Sequence, residues 1–270
     1  MKTIFFFSIL FFSYFSLAQP KIEINAQQTI DGFVLHATNL EYSAVSVKLK
    51  LNLKNLSSSK GDEFIAVIPN NTVQFAIAEL NKLNEYAGYS YSYDVTSTFG
   101  DVTIDSYDSN YKYSLPFDKG KEFQLQQGYF GKYTHQNERS LDIEMPIGTN
   151  VCAARKGIII KQVDGNNSYC SKPSCTNFNN YIDILHDDGT IANYSHLKYK
   201  SCKFKVGDSV NEGDFIAESD QTGYTSGPHL HFVVYLPAFE NRKSLPTLFK
   251  INNGNEFTLL QEKQFYFKNY

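Results

Sequence analysis

Two histidines near the C-terminal end of the chain have the spacing of a shared site. They occur in residues 226–232, SGPHLHF, as His229 and His231. On a β-strand, residues i and i+2 point to the same face about 6.6 Å apart, so both imidazoles would share one pocket while Leu230 and Phe232 face the core. Paired imidazoles can bind a metal ion or transfer protons. The motif alone is equally compatible with two surface histidines on an edge strand, so other residues must decide.

A carboxylate upstream could complete a metal-binding set. Asp142 lies between the β-forming residues Leu141 and Ile143, so its side chain should point to the opposite face from theirs. His135 precedes Asp142 by seven residues. Two imidazoles and one carboxylate are a recurrent set of protein ligands for catalytic zinc, which keeps its fourth position open for water. The spacing permits this set without requiring it.

A predicted β-hairpin carries two further histidines. Residues 181–196 contain Asp-Asp-Gly between two strand-like runs, and Asp-Gly in that setting is a strong turn signal. A turn centred on this Asp-Gly pair would place His186 opposite Ile191 and His196 opposite Tyr181. The two histidines would then lie on opposite faces of the hairpin, because side chains alternate along a strand. Only one of them can join the site, and a structural role is expected for His186.

The elements that must position these side chains are β-strands. Apolar and polar residues alternate in residues 45–56, VSVKLKLNLKNL, and similar short runs separated by turn signals continue along the chain. The sequence therefore predicts an all-β protein. We expect residues 19–117 to form an immunoglobulin-like β-sandwich and residues 118–237 to form an antiparallel β-sheet domain that carries the histidines. Residues 238–270 are expected to be a C-terminal extension packed on that domain.

Composition restricts the possible partners. The chain has 270 residues, of which 42% are hydrophobic and 20% are charged, so it can bury a core. Its formal net charge is -3, which predicts no strongly basic face. This argues against nucleic acid as the main partner. The composition does not indicate an oligomeric state.

The N-terminal segment predicts export. Residues 1–18 contain one Lys, no acidic residue, a long apolar run and small residues before a cleavage site after Ala18. The apolar run is shorter than the ~20 residues that a membrane-spanning helix needs. Gln19 rather than Cys follows the site, so lipid attachment is not expected. We therefore expect a cleaved signal peptide, a periplasmic or secreted protein, and no stable membrane insertion after cleavage.

Export makes the four cysteines candidates for disulfides, because an oxidising compartment allows them to form. Cys170 and Cys175 are close enough in sequence to close a local loop. Cys152 and Cys202 would then be left to pair if the fold brings them together. A cysteine-based zinc site is the competing interpretation, but the sequence lacks the C-x-x-C spacing typical of such sites.

The region from about residue 127 to residue 235 resembles the lysostaphin-like (LytM-type) zinc metalloendopeptidases, which cut peptidoglycan cross-bridges and stem peptides. Five ordered segments carry the resemblance, and they cover about two-fifths of the chain. They are THQNERSLDIEMPIGTNV with His135 and Asp142, the alternating Val151-Cys152-Ala153 that leads to Gly157, NYSHL with His196, KVGDSVNEG at 205–213, and TGYTSGPHLHF at 222–232.

The resemblance implies a role for each candidate residue. His135, Asp142 and His231 would be the ligands of one Zn²⁺ per chain. His196 and His229 would be the catalytic pair that activates water and stabilises the oxyanion, with the order of these two roles left open. Tyr194, two residues before His196, could line the cleft or pack in the core.

Two features depart from the usual family pattern. The interval between His135 and Asp142 is seven residues instead of the common four, which resembles a longer variant of the motif. Residues 164–179, with Cys170 and Cys175, form an insertion that could reshape access to the cleft.

The resemblance implies an exported zinc endopeptidase whose partners are peptidoglycan peptides. The alternative is a catalytically silent module that binds the cell wall or activates another hydrolase. The presence of all five expected residues favours the enzyme.

Overall fold

A computed structural model describes residues 19–270, and the predicted signal peptide lies outside these residues. The described part of the chain consists of β-strands with one 3-10 helix, Pro173–Phe178, which confirms the all-β prediction. Within it, no helix is long and apolar enough to cross a membrane.

The N-terminal unit contains seven strands in two antiparallel sheets. The strands are β1 (Ile22–Gln28), β2 (Gly32–Asn39), β3 (Val45–Lys54), β4 (Leu56–Ser58), β5 (Glu63–Ile68), β6 (Thr72–Lys82) and β7 (Ser90–Phe99). Their order is β1-β2-β6-β4 in one sheet and β5-β3-β7 in the other. Leu35, Val47 and Leu80, drawn from both sheets, belong to one buried core. The unit is thus built from two sheets, and its immunoglobulin-like character stays a prediction.

The second unit is built on a large antiparallel sheet. Its strands are β8 (Lys112–Tyr113), β9 (Lys121–Gln127), β10 (Leu141–Ile143), β11 (Asn150–Cys152), β12 (Gly157–Val163), β13 (Tyr169–Cys170), β14 (Tyr181–Leu185), β15 (Ile191–Ser195), β16 (Ser209–Val210), β17 (Phe215–Glu218), β18 (Gly223–Tyr224) and β19 (Leu230–Leu236). The C-terminal segment adds β20 (Lys243–Ser244), β21 (Leu248–Ile251), β22 (Glu256–Leu259) and β23 (Phe265–Lys268). The main sheet runs β16-β12-β14-β15-β19-β10-β9-β23, with β20 also paired to β19.

Alternation along β19 separates a core face from a polar face. Leu230, Phe232 and Val234 are buried in the core of the second unit. His231 and Tyr235 are offset by one residue from this set, and they lie on the opposite face because successive side chains point to opposite sides of a sheet. This polar face forms the floor of a large cleft.

The contacts of the linking segment bear on the boundary between the units. Tyr113, Leu115 and Phe117 pack in the core of the second unit, and β8 pairs with β21. The predicted boundary lay between residues 117 and 118. We propose instead that the second unit begins earlier, between Gly100 and Ile104, because Ile104 also packs against its core.

The predicted register of the β14–β15 hairpin is wrong by one residue. Leu185 pairs with Ile191, and Tyr181 pairs with Ser195. The reason is a longer turn, in which the Gly189 amide donates to the His186 carbonyl (3.0 Å) and Gly189 has φ +78°. A type I turn followed by a left-handed glycine adds one residue to the loop compared with a two-residue turn.

One of the two candidate disulfides is present. Cys170 and Cys175 are bonded, whereas Cys152 and Cys202 are free, because the fold does not bring them together as pairing would require. Strand β17 lies between them: Cys152 pairs with Phe215 on one side, and the Lys203 amide donates to the Ile216 carbonyl on the other. Two strand spacings amount to about 10 Å, beyond the roughly 7 Å that a disulfide can bridge between Cα atoms.

Candidate active site

The cleft on the polar face of the main sheet has a volume of about 860 Å³. All five candidate residues line it: His135, Asp142, His196, His229 and His231. Three neighbouring strands of the sheet bring most of them together, because Asp142 on β10 pairs with His231 on β19, which in turn pairs with Ser195 at the end of β15.

One carboxylate oxygen is the centre of the cluster. Asp142 Oδ1 lies 3.2 Å from His135 Nε2, 3.0 Å from His231 Nδ1 and 3.5 Å from His229 Nε2. One nitrogen or oxygen atom each from His135, Asp142 and His231 lies within 4.8 Å of the other two, a spacing that could hold a metal ion.

The surroundings of His135 fit a metal ligand. Its Nδ1 lies 3.1 Å from the Gly128 carbonyl oxygen, which can only accept, so Nδ1 carries the hydrogen and Nε2 keeps its lone pair. His135 Nε2 is buried, and no described residue makes a hydrogen bond to it, although Asp142 Oδ1 is close. A lone pair that faces a carboxylate oxygen is unfavourable unless a proton or a metal ion lies between the two atoms. Two imidazoles and one carboxylate are a donor set that suits zinc.

The electrostatics of the cluster favour an ionised Asp142. Burial raises the pKa of this carboxyl group, but the contacts with His135 and His231 outweigh burial and hold the pKa well below its usual value. For His135, burial lowers the pKa, but the contacts with Asp142, Gly128 and Glu138 together outweigh burial and leave the pKa raised. For His231, burial dominates and the pKa is lowered.

His196 and His229 form a second pair beside this cluster. Their ring centroids are 4.5 Å apart. His196 Nδ1 lies 2.6 Å from the Thr222 carbonyl oxygen, and His229 Nδ1 lies 2.9 Å from the Gly227 carbonyl oxygen. Each Nδ1 therefore donates to the main chain, which leaves Nε2 of each neutral ring able to accept a proton. Burial, followed by the charges of His229 and His231, lowers the pKa of His196 to about 3.

The backbone of His196 is held in an uncommon conformation. His196 follows the last residue of β15 and has φ +64°, a region that non-glycine residues seldom occupy. Asn179, at the end of the insertion, accepts a hydrogen bond from the His196 amide at 3.0 Å and donates one to Ser195 Oγ at 3.0 Å. The Asp220 amide donates to the His196 carbonyl oxygen at 2.8 Å. These contacts fix the histidine where the strand ends.

Gln127 is a site residue that the sequence reasoning missed. Its amide nitrogen donates to Asp142 Oδ2 and to Thr134 Oγ1, both at 2.8 Å. Its amide oxygen accepts the main-chain amides of Tyr133 and Thr134, next to His135. A lone glutamine on a strand carries no spacing signal, and neither did Asn179, so both emerged only from the tertiary contacts.

Two residues considered from the sequence lie away from the cleft lining. His186 is buried, its Nδ1 is 2.8 Å from the Lys156 carbonyl oxygen, and its ring packs edge-on against Tyr113. Tyr194 is fully buried against Phe232 and accepts a hydrogen bond from the Ala154 amide. Both therefore have packing roles, in agreement with the structural role expected for His186.

A sheet cleft that gathers two imidazoles, a carboxylate and two further histidines has the donor set of a metallopeptidase. Residues 123–244 match the family model described as Peptidase family M23, and this domain belongs to that family, with lysostaphin among its relatives.

Three curated relatives match parts of the chain. An uncharacterized metalloprotease of Buchnera aphidicola is 36% identical over 40% of this chain and 26% of its own length. Peptidoglycan DD-endopeptidase ShyC of Vibrio cholerae is 34% identical over 35% of this chain and 19% of its own length. Lysostaphin of Staphylococcus staphylolyticus is 37% identical over 37% of this chain and 19% of its own length. The chain thus spans about a quarter or less of the length of these relatives.

Proposed function

We propose that this chain is an exported zinc endopeptidase that hydrolyses peptide bonds in peptidoglycan cross-links or stem peptides. The observation that carries the proposal is the convergence of His135, Asp142 and His231 beside two further imidazoles in an open cleft. The substrate class is proposed by likeness to the peptidoglycan endopeptidase from Vibrio cholerae. Export rests on the sequence pattern of residues 1–18.

His135, Asp142 and His231 would hold the zinc ion. When bound, zinc lowers the pKa of water and polarises a peptide carbonyl. Gln127 would fix the orientation of Asp142 through its hydrogen bond to Oδ2, and the Gly128 carbonyl would fix the tautomer of His135. Such contacts to the ligands typically decide how well a site binds its metal.

His196 and His229 would move the protons. Both rings donate from Nδ1 to main-chain carbonyls, so each has Nε2 available toward the cleft. In the reaction that we propose, one Nε2 takes the proton from the attacking water, and the other ring, itself protonated at Nε2, donates a hydrogen bond to the developing oxyanion. The proton is then passed to the leaving amine, which completes hydrolysis.

A catalytically silent wall-binding module is the alternative. Such a module would have no need to retain both the ligand set and the second histidine pair. Here all five side chains line one cleft, and contacts from Gln127 and Asn179 hold Asp142 and His196. These contacts favour the enzyme.

Zinc content and amine release from peptidoglycan test the proposal together. Protein without residues 1–18 is purified, its bound zinc is measured, and isolated peptidoglycan is digested with and without a chelator. One zinc per chain and chelator-sensitive release of new amino groups are expected. A zinc-loaded protein that releases no amines, or amine release that a chelator leaves unchanged, would contradict the proposal.

A further inference from the structure

The cleft continues beyond the histidines along the main sheet. In one row across three strands, Lys161 on β12 pairs with Asp183 on β14, and Asp183 pairs with Asn193 on β15. All three side chains line the cleft. None of them is assigned a role in the proposed hydrolysis.

Asp183 is already satisfied by neighbouring donors. Its side chain is only 4% exposed. Oδ1 accepts a hydrogen bond from Asn193 Nδ2 at 2.7 Å, and Oδ2 accepts one from the Tyr235 hydroxyl at 3.4 Å. Lys161 Nζ lies 4.0 Å from Oδ2, which is an ion pair beyond hydrogen-bond distance. The carboxylate is therefore poorly placed to receive a further cation from a substrate.

Lys161, unlike Asp183, has polar hydrogens that no described residue accepts. Its ammonium group lies over the ring of Phe99 at 5.1 Å and near the ring of Tyr181 at 5.7 Å. These rings hold the cation by cation–π attraction. Among the described residues, no oxygen accepts a hydrogen bond from Nζ, and the side chain is 19% exposed. Three N–H donors thus remain available to a group that enters the cleft.

Phe99 comes from the N-terminal unit, as the last residue of β7. It lines the cleft together with Thr98. Gly100, the next residue, packs so closely on Pro237 of the second unit that an added Cβ would lie 2.8 Å from the proline Cγ. The N-terminal unit thus supplies the far wall of the cleft, and this wall packs against the second unit.

The position of Lys161 suits a group several residues from the cleaved bond. Three strand spacings separate it from β19, and its row lies two residues along the strands from His231. These displacements combine to about 16 Å between the Cα atoms of Lys161 and His231, the length of roughly four or five residues of an extended peptide.

We propose that Lys161, framed by Phe99 and Tyr181, forms a subsite that binds a free carboxylate of the substrate peptide. This inference rests on the proposed function and deepens it. A charge-assisted hydrogen bond from the ammonium to the carboxylate supplies the recognition. The N-terminal unit thereby takes part in substrate selection through Phe99.

Chemical blocking of the substrate carboxylates tests the subsite. The zinc-loaded protein digests untreated peptidoglycan and peptidoglycan whose free carboxyl groups have been converted to methylamides, and initial rates of amine release are compared at low substrate concentration. The wild-type protein should cleave the untreated material about 10-fold faster, as expected for one charge-assisted hydrogen bond. Lys161→Gln should cleave both materials at the slower rate with unchanged zinc content, whereas Lys161→Arg should keep most of the preference.

Two further variants control for charge and for the aromatic frame. Lys156→Gln removes the same charge at an exposed lysine that is paired with Asp187 outside the cleft lining, and it should keep the full preference. Phe99→Ala should weaken the preference without abolishing it. A wild-type protein that cleaves both materials equally, or a Lys161→Gln variant that keeps the preference, would overturn the subsite alone. If neither material is cleaved by any variant, the proposed function itself fails.

Discussion

At the scale of single residues, one carboxylate oxygen organises the candidate site. Asp142 Oδ1 faces three imidazole nitrogens within 3.5 Å, while Oδ2 is occupied by Gln127. Of the three imidazoles, those of His135 and His231 are the proposed metal ligands, and that of His229 belongs to the second pair. The proposed metal ligands and the proposed proton-transfer pair therefore lie next to each other, around one carboxylate oxygen.

Substitution of a proposed metal ligand and substitution of a proposed proton-transfer residue should differ in their effect on bound zinc. Asp142→Ala should lose both zinc and activity, because the remaining imidazoles lack the anionic ligand. His229→Ala should lose activity by at least about 100-fold, the usual effect of removing an acid–base group, but should retain zinc. Zinc content and amine release measured on the same samples check both statements. A His229→Ala protein without zinc would reverse the ligand assignment.

His186 makes stability depend on pH. Burial, the main cause, lowers the pKa of this histidine to about 4 in the folded protein, from 6.5 in an unfolded chain. Between these values the unfolded state binds more protons, so the free energy of unfolding should fall as the pH falls from 6.5 toward 4, by up to about 3 kcal/mol. Above pH 6.5 the group is neutral in both states and contributes no pH dependence.

The variant His186→Asn tests this effect, because its side-chain amide can still donate to the Lys156 carbonyl oxygen but does not titrate. Denaturant unfolding is measured for both proteins at several pH values. The difference in stability between wild type and variant should shrink or reverse toward pH 4. A constant difference across this range would show that His186 does not titrate as inferred.

At the scale of elements, the insertion at residues 164–179 supports His196 and His229, the two histidines proposed to transfer protons. The disulfide between Cys170 and Cys175 closes it. Strand β13 in the insertion pairs with β18, and Ser171 Oγ donates to the carbonyl oxygen of Thr225, four residues before His229. Asn179 holds the amide of His196. The insertion, expected to shape access to the cleft, thus also positions residues within it.

Removal of the Asn179 side chain should impair the reaction step. Asn179→Ala leaves the His196 amide without its acceptor, and a lost hydrogen bond of this kind corresponds to a fall in kcat of about 10-fold. KM and zinc content should change less, because the ligand set is untouched. Asn167→Ala, an exposed asparagine in the same insertion, is the matched control and should behave as wild type. Unchanged kcat in the Asn179→Ala variant would exclude the positioning role.

At the scale of the whole molecule, distant parts of the chain complete the second unit. Strand β23 pairs with β9 at the edge of the main sheet, and β21 pairs with β8. Lys268, in β23, is buried and donates to the carbonyl oxygens of Leu115 (3.0 Å) and Phe117 (2.8 Å). The C-terminal segment thereby fixes the residues between β8 and β9 within the second unit.

Loss of this contact should destabilise the protein. Lys268→Met keeps the apolar stem but removes the ammonium donor from two buried carbonyl groups, which should lower the free energy of unfolding by about 2 kcal/mol. Lys243→Met, at an exposed lysine of β20, should leave stability within about 0.5 kcal/mol of wild type. Denaturant midpoints of both variants check the prediction. Equal midpoints would show that the Lys268 contacts do not contribute to folding.

Features that depend on residue type and local alternation could be predicted from the amino-acid sequence alone. The period of two predicted the strands, and it correctly assigned Leu230 and Phe232 to the core and His231 to the opposite face. The spacing of the histidines and Asp142 permitted a shared site, and the resemblance to the lysostaphin-like family selected the residues that line the cleft. Such signals are readable because neighbouring side chains on a strand alternate whatever the rest of the chain does.

Features that depend on which strands become neighbours could not be predicted and emerged from the three-dimensional fold. It placed β17 between Cys152 and Cys202, set the β14–β15 register through a left-handed Gly189, and brought Gln127 to Asp142, Asn179 to His196 and Phe99 to Lys161. Each of these contacts joins segments whose approach depends on the packing of the whole sheet. The local sequence carries no periodic signal for such approaches, because their energy is shared among many long-range contacts.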